Sequence, residues 1–221
     1  MKKFLIAATA LSGLLAFAGS AAAADLAVPV DPVYDWSGFY IGAHGGYGWG
    51  DSDNDASNGA SWSADIEGIV AGIHAGYNLQ MDSFVFGIEA DVDFSDIDGH
   101  TPCPNAAFEC DTDVEWFGSL RARAGFAMDN LLIYGTGGVA LAEAEFGNTL
   151  AGVRIDESDD SVGFVVGGGA EFAAWENISL RAEVLYYNFD DFGFAWSNDG
   201  GISYDSELDF IVARAGVTFH F

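Results

Sequence analysis

Leu208-Asp-Phe-Ile-Val-Ala-Arg-Ala-Gly-Val-Thr-Phe-His-Phe221 closes the chain. Counted back from the terminus, Phe221, Phe219, Val217, Ala215, Ala213 and Ile211 take one set of alternate positions, and His220, Thr218, Gly216 and Arg214 the other. A side-chain period of two marks a β-strand, whose successive residues point to opposite faces. A strand with so apolar a face is an aggregation hazard in water unless both its edges are paired. The stretch asks for a closed sheet.

The same alternation returns along the chain. Phe39, Ile41, Ala43, Tyr47 and Trp49 alternate with Tyr40, Gly42, His44, Gly46 and Gly48. Ile69, Ala71, Ile73, Ala75, Tyr77 and Leu79 alternate with Val70, Gly72, His74, Gly76 and Asn78. Phe84 to Phe94 opposes apolar residues to Gly87, Glu89, Asp91 and Asp93, and Trp116 to Phe126 opposes them to Ser119, Arg121, Arg123 and Gly125. In Leu131–Phe146 the pattern places Ile133, Val139 and Leu141 outside, with Tyr134 and Thr136 inside. Val162–Phe172 opposes its apolar face to Val165, Gly167, Gly169 and Glu171, and Ile178–Tyr187 to Arg181, Glu183, Leu185 and Tyr187. With the terminal run these make eight.

These runs are joined alternately by short turns (Gln80–Ser83, Met128–Asn130, Trp175–Asn177) and by long acidic stretches near 51–65, 95–114, 147–160 and 190–207. The expectation is an all-β, eight-stranded antiparallel up-and-down transmembrane β-barrel, with short periplasmic turns and long acidic extracellular loops. The aromatics support it. On the outward parity Phe39, Tyr77, Phe84, Phe126, Phe172 and Phe219 gather at one end, and Tyr47, Trp49, Phe94, Trp116, Phe164 and Tyr186 at the other. Two such belts are the girdles of a membrane barrel. A soluble barrel would turn its apolar face inward, and here the opposite face carries the charges.

Residues 1–23 read as a signal peptide: Lys2 and Lys3 precede an apolar stretch from Phe4 to Ala18, and Ala21–Ala24 offers cleavage after 23 or 24. Residues 24–35, with two prolines, read as an extended periplasmic lead-in, and 36–221 as the barrel. No run reaches the ~20 apolar residues of a spanning helix. Without its leader the chain keeps five arginines and no lysine against 34 acids, a formal charge of −29. Nucleic acid is excluded as a partner, because binding it needs a basic footprint. The expected location is the bacterial outer membrane.

The order of short motifs adds a resemblance. Ala-Ala-Asp-Leu at the mature start, Trp36-Ser-Gly-Phe-Tyr-Ile-Gly42, Gly46-Tyr-Gly-Trp-Gly50, Arg123-Ala-Gly-Phe126, Tyr134-Gly-Thr-Gly-Gly138, Leu180-Arg-Ala-Glu183 and the final Phe221 resemble the alphaproteobacterial outer-membrane surface-protein and haemin-binding family of porin-like barrels. The resemblance implies an eight-stranded outer-membrane barrel whose relatives are structural antigens, weak porins or haem binders. It also implies that Phe219 and Phe221 belong to the terminal signal read by the outer-membrane insertion machinery. Outer-membrane lipid and lipopolysaccharide are the other expected partners.

The candidate chemistry is sparse. Of the five arginines, Arg121, Arg123, Arg181 and Arg214 fall on inward parity, and only Arg154 falls in an expected loop. Glu89, Asp91, Glu171 and Glu183 share that inward face. An eight-stranded barrel has a bore just wide enough for side chains to fill, so these eight residues are expected to form a lumen ion-pair network. Cys103 and Cys110, spaced C-x6-C in a long loop of an exported chain, most simply pair as a disulfide. His44 and His74 point inward on adjacent strands; metal, proton relay and haem edge stand beside the plainer reading of hydrogen-bonded lumen histidines. His100 and His220 are weaker candidates. Asp51-Ser-Asp-Asn-Asp55 lacks the glycine and the final acid of a calcium loop.

No Gly-x-Ser-x-Gly occurs and no acid–base pair is placed at the outer rim. The function expected is a non-enzymatic structural surface barrel with a plugged lumen and no cofactor. A narrow porin for small solutes and a haem- or ligand-binding receptor are the alternatives.

Overall fold

The computed structural model describes residues 34–102, 108–150, 153–194 and 203–221. They form eight strands: β1 (Gly38–Ala56), β2 (Ser61–Met81), β3 (Phe84–Pro102), β4 (Phe108–Met128), β5 (Leu131–Leu150), β6 (Val153–Ala173), β7 (Ile178–Phe194) and β8 (Tyr204–His220). Each pairs antiparallel with the next, and β8 returns to β1 to close the barrel, from Tyr40↔His220 to Ala56↔Tyr204. Residues 1–33, which include the expected signal peptide and most of the lead-in, lie outside the described residues.

The end that carries the described start of the chain, its terminus and the tight turns is the periplasmic one. Asp82 and Asp129 open the two-residue turns into β3 and β5 with φ of 55° and 52°. Aspartate tolerates this left-handed conformation because its short polar side chain bonds nearby backbone. In the periplasmic half the parity is the expected one: Phe39, Ile69, Ile88 and Leu120 are exposed on the outer wall, while Arg121, Arg181 and Glu89 are buried in the bore.

The strands do not stop where the acidic stretches begin. They run 17–21 residues, whereas about 9–11 tilted residues cross a bilayer. Most of the stretches read as long loops are therefore paired strand, and Asp51–Asp55, Asp96 and Asp98 lie within β1 and β3. The reason is a reversal of polarity along a single set of strands. Beyond the aromatic belt the outside of the barrel meets water, so acids such as Asp53, Asp65 and Asp98 face outward. Ile66, Ile97, Phe117, Phe146, Leu185, Leu208 and Phe210 face inward as a dry core. Cys110, expected in a loop, is buried in that core on β4 and is disulfide-bonded; Cys103 lies outside the described residues. Arg154 belongs to β6 rather than to a loop.

The outer barrel also divides. Among the described residues β2–β3 pairing stops at Glu67↔Asp98 and β6–β7 pairing at Phe164↔Asn188, on opposite sides of the cylinder. Above these points β7-β8-β1-β2 and β3-β4-β5-β6 continue as separate sheets. Their inner faces pack on one another as in a sandwich. Phe117 of β4 meets Tyr187 of β7 and Phe210 of β8 at ring separations of 5.0 and 5.3 Å, and Phe146 of β5 meets Phe192 of β7 at 5.6 Å.

Candidate functional site in the bore

The bore is filled in layers, each set by which residue types fall on inward parity. At the periplasmic mouth Trp36, just before β1, turns into the barrel and is wholly buried against Val85, Ala127, Leu132, Tyr134 and Ala173. Its backbone N–H donates to Gln80 Oε1 at 2.8 Å, and the Gln80 N–H donates to Ser37 Oγ at 3.0 Å. Tyr34 packs edge-on at 4.7 Å. Burial pushes the Tyr34 phenol up to about 12, with Glu171 and Asp35 adding charge repulsion against its ionisation. Tyr34 and Trp36 thus form a stopper, while residues 24–33 of the expected lead-in lie outside the described residues.

Above the stopper stands the polar layer. Glu89 of β3 is its hub. Arg181 of β7 reaches it with two nitrogens, Nη1 to Oε2 at 2.8 Å and Nη2 to Oε1 at 3.1 Å. Arg121 donates to Oε1, and Arg123 approaches Oε2 at 3.4 Å. The Tyr40 hydroxyl donates to Oε2 at 2.8 Å. Glu171 holds Arg123 at 3.0 Å and also accepts from Ser179. His220 lies 3.2 Å from it. Glu183 takes Arg181 at 2.5 Å, Arg214 Nε at 2.9 Å and the Tyr134 hydroxyl at 2.8 Å. Arg123 also lies over the Tyr134 ring, 4.0 Å from its centroid.

Next come the acids and imidazoles of the upper polar layer. Asp91 accepts from Ser119 at 2.6 Å and pairs with Arg121 at 3.0 Å. Arg214 lies 3.1 Å from Asp93. His44 Nε2 sits 2.5 Å from Asp93 Oδ1, while His44 Nδ1 and His74 Nδ1 are 3.1 Å apart. His74 Nε2 meets Thr218 Oγ1 at 3.0 Å. One ring nitrogen of the histidine pair must carry a proton and the other accept it. No group of three or more metal-type side chains occurs among the described residues.

All eight residues expected in the lumen lie in these two polar layers, and His44 and His74 touch. Sequence reasoning put Tyr40, Asp93 and Tyr134 on the inward parity without counting them in the network, and did not single out Trp36. Asp93 had a visible signal, because Glu89-Ala-Asp-Val-Asp93 puts three acids on one face of β3. With Asp93 counted, four buried guanidinium groups face five buried carboxylates, Glu89, Asp91, Asp93, Glu171 and Glu183.

Known proteins resemble this one along most of its length. The chain is 33% identical to the 31 kDa outer-membrane immunogenic protein of Brucella melitensis biotype 1 over the whole of both chains. It is 31% identical to the 25 kDa outer-membrane immunogenic protein of Brucella abortus biovar 1, over 95% of each. A 22 kDa outer membrane protein of Rhizobium leguminosarum is 31% identical over 73% of this chain and 68% of its own. Among solved structures, the outer membrane protein OprG of Pseudomonas aeruginosa superposes with a TM-score of 0.60 at 16% identity, covering 86% of this chain and 99% of that one. That likeness concerns the fold. Residues 9–221 match the family described as outer membrane protein beta-barrel domain, and the chain belongs to that family of integral outer-membrane proteins.

Proposed function

We propose that the protein is a closed, non-enzymatic surface barrel whose bore is braced shut by the Glu89-centred ion pairs and whose outer half stands clear of the membrane. The observation that carries this reading is the two-point contact from Arg181 of β7 to Glu89 of β3, at 2.8 and 3.1 Å. In an eight-stranded ring these strands face each other across the bore, so the pair spans it. Arginine suits the task, since its planar fork meets a carboxylate at two points and stays charged at any physiological pH. The Trp36 stopper lies below and the aromatic sandwich above. The inward acids and imidazoles are engaged with one another and screened from both mouths, which supports a structural rather than a catalytic role.

On this reading the partners are outer-membrane lipid and lipopolysaccharide around the wall, and the insertion machinery at Phe219 and Phe221. Both rings lie on the outer wall at the periplasmic end, with the Phe221 N–H donating to Phe39 O at 3.0 Å. Single-channel recording of the refolded protein in planar bilayers is the test. The expected trace shows no steady conductance at neutral pH. A large, steady conductance would overturn the plug and favour a narrow porin.

A further inference from the structure

The buried polar layers hold one carboxylate more than they hold guanidinium groups. Among the described residues Glu89, Asp91, Asp93, Glu171 and Glu183 face Arg121, Arg123, Arg181 and Arg214. An unmatched charge in a dry layer is costly. Of the side chains buried there, histidine is the one that ordinarily gains or loses a charge near neutral pH. His220 rests on Ser179 and on Glu171, a carboxylate that Arg123 already matches. His44 and His74 stand higher, beside Asp93.

The barrel wall makes room for these two rings. In the β1–β2 register Gly42 faces His74 and Gly72 faces His44. A Cβ at Gly42 would lie 2.4 Å from His74 Nε2, and one at Gly72 2.7 Å from His44 Nε2. Charges from three further strands surround the pair. Asp93 of β3 and Arg214 of β8 approach His44 Nε2 to 2.5 and 3.1 Å. Asp91 of β3 is the register partner of His74. Glu89 of β3, Arg181 of β7 and Arg214 also act on His74 electrostatically, and the Tyr40 ring lies 6.2 Å away. Arg214 Nη1 has acceptors of its own in Asp93 Oδ2 at 3.1 Å and Asp91 Oδ1 at 3.5 Å. That leaves His44 Nε2 to donate to Asp93 Oδ1.

From Asp93 the contacts run in a line: Asp93 to His44 at 2.5 Å, His44 Nδ1 to His74 Nδ1 at 3.1 Å, and His74 Nε2 to Thr218 Oγ1 at 3.0 Å. This line has two complete arrangements that differ by one proton. With both rings neutral, His44 Nε2–H donates to Asp93, His74 Nδ1–H donates to His44 Nδ1, and the Thr218 hydroxyl donates to His74 Nε2. A proton added at His74 Nε2 turns that nitrogen into the donor and Thr218 Oγ1 into the acceptor. His74 passes its Nδ1 hydrogen to His44 Nδ1 and then accepts it back as a hydrogen bond. One proton has entered, the positive charge rests on His44 against Asp93, and every contact is kept. We propose that Asp93, His44, His74 and Thr218 form a proton-binding site, which takes up a single proton as the His44 imidazolium and supplies the fifth positive charge of the bore.

The test uses the full mature chain refolded in micelles with isotope-labelled histidine. Ring-nitrogen chemical shifts are followed from about pH 8 to about pH 5, the range in which imidazole changes charge. His44→Gln, His74→Gln and His220→Gln assign the signals. On acidification His44 should gain a second N–H. In the same titration His74 should stay neutral while its bare nitrogen changes from Nε2 to Nδ1. Asp93→Asn equalises the buried acids and guanidinium groups and should abolish the uptake, whereas His220→Gln should leave both changes in place. The unmodified chain carries the decisive spectra, so a variant that fails to refold leaves the test intact. The readout is also independent of whether the barrel conducts. A His74 tautomer that stays fixed, a charge gained by His220 alone, or a proton found on the Asp93 carboxyl by infrared difference spectroscopy would each overturn the proposal.

Discussion

At the scale of the residue, Arg121 and Tyr34 mark two kinds of buried polar group. Arg121 is sealed in the bore and touches Glu89, Asp91 and Glu183. Replacing it takes one cation from three buried carboxylates and leaves them to Arg123, Arg181 and Arg214, at a cost of up to ~3–5 kcal/mol for a broken buried pair. Arg121→Ala should lower the urea midpoint of the refolded barrel sharply, whereas Asp53→Ala on the exposed outer wall should change stability by no more than ~0.5 kcal/mol. Equal midpoints for the two variants would remove the bracing role. Tyr34 titrates in the alkaline range. Its folded pKa of about 12 lies above the ordinary phenol value, so the fold favours the neutral ring. The stabilisation is complete below pH ~10 and fades as pH rises toward 12. Tyr34→Phe should remove that part of the alkaline loss, visible as a flatter midpoint-against-pH curve between those limits.

At the scale of the element, one strand does two jobs. β8 reads apolar outward from Ala213 to Phe219, within the membrane, and apolar inward at Tyr204, Leu208, Phe210 and Val212 beyond it. The inversion follows from the solvent on the outer wall, lipid below and water above. Phe210 packs on Phe117, Tyr187 and Phe189, with ring separations of 5.3, 5.2 and 6.1 Å. Truncating so buried an aromatic typically costs ~3–5 kcal/mol through lost contact and the cavity left behind. Phe210→Ala should therefore open the outer sandwich to limited proteolysis while the membrane-embedded strands stay protected. Uniform resistance along all strands would show that the outer half does not rely on its own core.

At the scale of the whole molecule, closure joins β8 to β1 through an uninterrupted ladder from Tyr40↔His220 to Ala56↔Tyr204. Phe221 stands just past it on the outer wall, 75% exposed, with its ring edge-on to Phe219 at 5.2 Å. So exposed a ring adds little to the finished fold. Deleting Phe221 is expected to slow assembly in cells, with unassembled chain collecting in the periplasm, while chain refolded in detergent keeps nearly its full unfolding midpoint. Normal surface levels of the truncated protein would count against a role in insertion.

What the sequence determined alone is the barrel and the contents of its bore. Period-two alternation is a local property of an extended chain, so every membrane-facing residue from Phe39 to Phe219 could be assigned by parity. The same parity gathered Glu89, Asp91, Arg121, Arg123, Glu171, Arg181, Glu183 and Arg214 on the inner face. The tertiary structure alone decided which atoms meet. Glu89 and Arg181 are 92 residues apart, and only closure and stagger bring them across one bore. It also decided that Asp51–Asp55 and its counterparts are strand. Their acids look like loop when read against a membrane-facing rule, and become an ordinary water-facing wall once Ser52, Asn54, Ile66 and Ile97 are seen buried behind them. Trp36 belongs to the same class: nothing next to it in the chain requires it to turn inward, and its burial comes from the apolar mouth formed by β3, β4, β5 and β6, which exists only after the barrel has closed.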